Sequence, residues 1–154
     1  MFSLDASTIN IFIQLTVAML LGLLMGVERS VAHKTAGMRT YALISMGSAL
    51  FVIISNLMSV NLVGSGFDPM RMASQIIVGI GFIGGGLIVT HGATVRGLTT
   101  AAGLWVAGGI GMAVGFGLYE IAVFVTLMSI IIFTLFWRVE EEIKKVSAGL
   151  YPEK

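Results

Sequence analysis

Between Asp5 and Glu28 the chain carries no Asp, Glu, Lys or Arg. The same holds from Arg39 to Asp68, from Arg71 to Arg96, from Arg96 to Glu120 and from Glu120 to Arg138. Each interval has room for the roughly 17–25 apolar residues that cross a bilayer as a helix. Charges gathered between long apolar runs make the bilayer the natural solvent. With 56% apolar residues, 11% charged residues and a mean hydropathy of +0.98, a soluble domain of 154 residues could not hide its apolar surface. The expected class is an all-α membrane protein, a bundle of about five transmembrane helices with the N-terminus outside and the C-terminus inside. Residues 1–138 form the membrane domain and 139–154 a short cytoplasmic helical tail. The start, MFSLDASTIN, has no basic segment ahead of the apolar run, so that run is expected to be retained as a span.

The first span is expected from about Ile9 to Val27. Ala18, Gly22 and Gly26 recur every four residues and make a slim stripe for a neighbouring helix, and mid-span Gln14 reads as a contact to such a neighbour. The loop Glu28–Thr40 carries Arg29, Lys34 and Arg39, which the positive-inside rule places in the cytoplasm. Glu28 at the membrane boundary suits an ion pair with Arg29 or Arg39. The second span runs from about Tyr41 to Met58, with a slim middle at Gly47, Ser48 and Ala49. The loop Ser59–Phe67, without Lys or Arg, faces outside. The fourth span, from about Gly97 to Gly115, carries Thr99, Gly103, Ala107, Gly111 and Gly115 at strict four-residue spacing, a ridge made for packing. The fifth, about Ile121 to Trp137, is bulky and suits a lipid-facing helix. Beyond it, Glu140–Lys144 and Glu141–Lys145 stand in the favourable i,i+4 order.

The stretch from Asp68 to Trp105 is where function is expected to centre. Asp68-Pro69 is a helix start, an N-cap followed by proline at the first helical position. Arg71 lies one turn in and either pairs with Asp68 or snorkels to the interface. The third span is expected from about Met72 to Thr90. Its glycine motif, Gly79, Gly81, Gly84, Gly85 and Gly86, allows tight helix contact or local unwinding in the bilayer. The loop His91–Arg96 follows. Polar groups are costly in hydrocarbon, so the polar set here is expected to have a purpose. Glu28, Arg39, Asp68, Arg71, Arg96 and Thr99 form the expected functional polar centre. They would have to communicate between the two membrane faces through a bent or partly hydrated bundle.

No cofactor site is visible. The chain has no cysteine and two histidines, His33 and His91, which leaves no thiolate chemistry and no evident metal-ligand set. No basic cluster suits nucleic acid. The glycine run lacks the Gly-Lys-Ser/Thr ending of a phosphate loop. The carboxylates near the spans, Glu28, Asp68 and Glu120, are accompanied by arginines, a poor lining for a hard cation. A bound anion or lipid phosphate fits arginines better.

At these residues the chain resembles the MgtC/SapB family of bacterial inner-membrane proteins. The pieces are Gly26-Val-Glu28-Arg29, Ala36-Gly37-Met-Arg39-Thr40, Asp68-Pro-Met-Arg71-Met-Ala73, Gly79-Ile-Gly-Phe-Ile-Gly-Gly-Gly86, and Gly97-Leu-Thr-Thr-Ala-Ala102 with Trp105. Gly85 stands where the family usually has alanine. Long members carry a soluble domain after the last span, whereas a short tail follows Arg138 here. The resemblance implies a link to growth at low magnesium, acid tolerance and survival of pathogens in host cells. It also implies action on the membrane sector of the proton-driven ATP synthase, which is reported for the founding member.

Three functional classes compete. The first is a non-enzymatic regulator, expected to be a homo-oligomer in the bilayer, that works through helix contacts with other membrane proteins. The alternative is a transporter or channel for an ion or small solute, with a polar site around Asp68, Arg71 and the Gly79–Gly86 segment. A membrane enzyme comes last, because no nucleophile–base set is visible.

Overall fold

A computed structural model of the chain describes residues 5–61, 68–92 and 94–150. Most of the expected outer loop, Ser59–Phe67, therefore lies outside the described residues, as does the side chain of His91.

Helix α1 spans Ala6–Val31 and is started by Asp5, whose carboxylate accepts the Ala6 N–H at 2.8 Å. After a turn through His33, at φ 53°, helix α2 covers Met38–Asn61. The Ser30 hydroxyl accepts the Met38 N–H at 3.1 Å and ties the end of α1 to the start of α2. Helix α3 is Pro69–Gly85, with Asp68 as its N-cap accepting the Met70 N–H at 2.9 Å. Strands β1, Val89–His91, and β2, Thr94–Arg96, pair antiparallel with Val89 opposite Arg96. Helix α4 is Leu98–Gly115 and α5 is Tyr119–Ile131. A π-helical turn at Ile132–Phe136 leads without a break into α6, Trp137–Leu150.

The fold is thus an all-helical bundle. Four helices are long and apolar enough to cross a membrane: α1, α2, α4 and the continuous α5–α6 helix. The third span corrects the expectation. It ends at Gly85 instead of Thr90, and at 17 residues it is about 25 Å long. The reason is local. Three successive glycines weaken the helix, and the β-branched residues after them, Ile88, Val89 and Thr90, favour extended backbone. What reads as the loop His91–Arg96 is half of a β-hairpin.

Helix α4 is the centre and packs against α1, α2, α3 and α5. Both small-residue stripes are used for close approach. A Cβ on Gly26 of α1 would lie 2.5 Å from the Met38 Cα, and one on Gly111 of α4 would overlap the Ser45 carbonyl. Helix α2 is therefore gripped from both sides along Tyr41, Ser45 and Ala49, each fully buried. The expected α4 ridge is buried at Gly103, Ala107, Gly111 and Gly115, while Thr99 at its start is exposed. Gln14 donates to the Val114 carbonyl at 3.3 Å, the neighbour-helix contact its position suggested. Such contacts hold membrane helices together where the hydrophobic effect cannot.

The tail pairing differs in part from expectation. Lys144 meets Glu140 at 2.8 Å, but Lys145 meets Glu142 at 2.7 Å instead of Glu141.

Candidate functional site

The two ends of the bundle carry different chemistry. At the start of α3, Asp68 and Arg71 are exposed. The Asp68 side chain is used as a cap, and the Arg71 carbonyl accepts the Ser74 hydroxyl at 2.8 Å. Ion pairs among the described residues join Arg29 to Glu28, Lys144 to Glu140 and Lys145 to Glu142, so Asp68 and Arg71 act as a cap and a surface arginine. They lie at the far end of α3 from the hairpin that carries Arg96. Arg39, on the first turn of α2, and Arg96, on β2, are also exposed. The expected six-residue centre is therefore spread over both ends, and the structure gathers Glu28 and Thr99 with other partners.

Those partners surround Arg29. This side chain is 3% exposed, near the end of an apolar helix. Its Nε donates to the Glu28 carboxylate, and its guanidinium carbon lies 3.8 Å from the centroid of the Phe133 ring. A buried arginine requires both a counter-charge and a polarisable surface. Next to it, the buried Tyr41 hydroxyl donates to the Thr100 carbonyl at 3.3 Å. That contact fixes the start of α4 against α2. A Cβ on Gly103 would fall 2.8 Å from the Phe133 ring tip, so glycine there admits the ring.

These groups border a cavity of about 540 Å³ at the hairpin end. Arg29 and Lys34 line it from α1 and the following loop, Thr99 and Thr100 from α4, and Glu140 and Glu141 from α6. The π-helical turn builds the remaining wall with Phe133 and Phe136. Helices of this kind appear mostly as single turns, often at functional sites. Gly97 shapes the floor. Its φ of 92° is left-handed, and a Cβ there would overlap the Leu87 carbonyl.

Of these residues the sequence points to Arg29 as a partner for Glu28, a pair the structure contains, and gives no role to Tyr41 or Phe133. Arg29 reads there as a topology signal, because basic residues at span boundaries usually face headgroups.

The glycine motif takes a different course from the other glycines. Gly79, Gly81 and Gly85 face open space, with nothing within 4 Å of a built Cβ, and Phe82 beside them is 86% exposed. Gly84 packs on Ala101. Between α2 and α3 runs an apolar groove of about 470 Å³, lined by Gly47, Phe51, Gln75, Gly79 and Ile83 among others. Among the described residues no cluster of His, Cys, Asp and Glu is suited to a metal ion.

A polytopic helical bundle with a buried arginine at one end and an outward-facing glycine helix defines an integral membrane protein of the bacterial inner membrane. Residues 15–142 match the MgtC family, and the chain belongs to that family. It is 40% identical over 117 residues to the putative magnesium transporter YhiD of Escherichia coli strain K12, covering 73% of this chain and 54% of that protein. It is 48% identical over 84 residues to the protein MgtC of Brucella abortus strain 2308, covering 54% of this chain and 33% of the relative. For the protein MgtC of Salmonella typhimurium the figures are 45% over 89 residues, 58% and 36%. The chain thus spans between a third and about half the length of these relatives. No solved structure matches it significantly.

Proposed function

We propose that this protein is a non-enzymatic regulator that works by helix contact with other membrane proteins, in adaptation to low magnesium, acid or host stress. The observation that carries this reading is the outward face of α3. The glycines of α1 and α4 that meet a neighbour do so inside the bundle, whereas Gly79, Gly81 and Gly85 present bare backbone beside Val78 and Phe82. In lipid, small residues on an open face favour the approach of another helix. Gln75 on the adjoining groove adds a polar group that gains from a partner in hydrocarbon. The partner helix comes from a second copy or from another membrane protein, the ATP synthase membrane sector being the family's example. The hairpin end, with Arg29, Lys34, Arg39 and Arg96, belongs on the cytoplasmic side by its basic charge, which puts the N-terminus outside.

The chain lacks cysteine, so one introduced cysteine is unique. Phe82→Cys is expected to cross-link in native membranes, while Phe124→Cys on the exposed face of α5 is not. Equal cross-linking from both would defeat the docking reading. Ion flux in proteoliposomes, abolished by Asp68→Ala, would put the transporter alternative in its place.

A further inference from the structure

No residue of α3 lines the cavity at the hairpin end, which carries charges of both signs. Arg29 and Lys34 give it a cationic side. The Thr99 hydroxyl, on the exposed first turn of α4, borders the same space. Glu140, Glu141 and Lys144 of α6 line it with Trp137, and since Lys144 pairs with Glu140, Glu141 is the carboxylate left over there.

Arg29 is built into this wall. A guanidinium has five N–H donors. The Nε–H is taken by Glu28 and the face by Phe133, and among the described residues the Arg29 side chain has no other hydrogen-bond partner. The Nη donors remain for a ligand. A phosphate group is the natural acceptor for a guanidinium and an ammonium placed together. A simple polyanion, however, does not suit the opposite wall. Glu140 is matched by Lys144, but Glu141 is in no ion pair among the described residues. A carboxylate beside aromatic faces is a setting for an ammonium. The volume, about 540 Å³, is that of a small-ligand site. Ile132 and Leu98 line it too, and both are exposed apolar side chains.

We infer that this cavity binds a zwitterionic amino-phosphate headgroup, with the phosphate at Arg29, Lys34 and Thr99 and the ammonium between Glu141 and Trp137. The source is a phosphatidylethanolamine lipid with its chains along Ile132 and Leu98, or a free phosphoethanolamine.

The full chain in detergent is titrated with phosphatidylethanolamine, with phosphatidylglycerol of the same acyl chains, and with phosphoethanolamine, and bound ligand is counted by native mass spectrometry. Phosphatidylethanolamine is expected to be retained about tenfold more strongly than phosphatidylglycerol, the equivalent of one charge-assisted contact. Lys34→Ala and Glu141→Gln alter exposed side chains outside the buried contacts, so the fold is kept. Each is expected to lower that retention about tenfold. Displacement by phosphoethanolamine assigns the site to the free compound, and failure to displace assigns it to the lipid. Equal retention of the two lipids, no retention of either, or variants that bind like the parent would overturn the inference. Neither variant touches α3, so the cross-linking experiment stands or fails independently.

Discussion

The guanidinium of Arg29 and the ring of Phe133 meet at 3.8 Å, joining the end of α1 to the π-helical turn of the last helix. A desolvated cation–π contact is worth about 2 kcal/mol. Here it closes the bundle across a long sequence separation, and it does so where Glu28 supplies the balancing charge.

Removing that balance is expected to be expensive. Glu28→Gln leaves Arg29 buried without its counter-charge, and the loss should be about 3 kcal/mol. Arg39→Gln, at an exposed position, should cost under about 0.5 kcal/mol. Unfolding in mixed detergent micelles compares the two. A smaller effect for Glu28→Gln than for Arg39→Gln would mean that Arg29 finds another partner.

The glycines divide into two groups with opposite expected responses. Gly111→Ala forces a methyl group into the Ser45 carbonyl and should lower stability by about 1–3 kcal/mol. Gly81→Ala faces open space within a helix, and alanine there should raise monomer stability by up to about 1 kcal/mol. The same change should weaken cross-linking from Phe82→Cys, because the added methyl group blocks close approach. Thermal melts and cross-link yields read the two effects separately.

Ser45 is a third case. Its hydroxyl is buried without a hydrogen-bond partner at the crossing of α1, α2 and α4. An unmet buried hydroxyl costs roughly 1–3 kcal/mol. Ser45→Ala should therefore leave stability unchanged or raise it by about 1 kcal/mol. A clear loss in the thermal melt would show that the hydroxyl has a partner in the bilayer.

Gly97→Ala combines a left-handed φ with overlap at Leu87. The conformational part alone is about 1–2 kcal/mol. Faster amide hydrogen exchange in Val89–Arg96 should accompany the loss, since the hairpin depends on that turn. Unchanged exchange there would uncouple Gly97 from the hairpin.

Much of the fold was legible because it depends on local spacing. The Ala18-Gly22-Gly26 stripe and the α4 ridge could be read as contact surfaces, and Asp68-Pro69 as a helix start, since each is set within one or two turns. The end of α3 was not legible in the same way. Ile88, Val89 and Thr90 are as apolar as a span requires, and hydropathy does not distinguish a strand from a helix. The site was less legible still. Arg29 is buried because Phe133 arrives from a helix far along the chain, and no spacing rule connects the two. Nor does any pattern in Ile132–Phe136 announce a π-helical turn. The outward turn of Gly79 and Gly81 likewise depends on which face of α3 meets α2 and α4.

Helix α3 also has a consequence for the lipid around it. At 17 residues it reaches about 25 Å, against a hydrocarbon thickness of about 30 Å. Of the helices it packs against, α2 is longer, at 24 residues, and α4 is nearly as short, at 18. The bilayer must thin beside the exposed face of α3, and such hydrophobic mismatch costs a fraction of a kcal/mol per Å. A second helix laid against α3 would replace the strained lipid. The membrane itself therefore adds a pull toward association at that one flank, and the pull should strengthen in thicker bilayers.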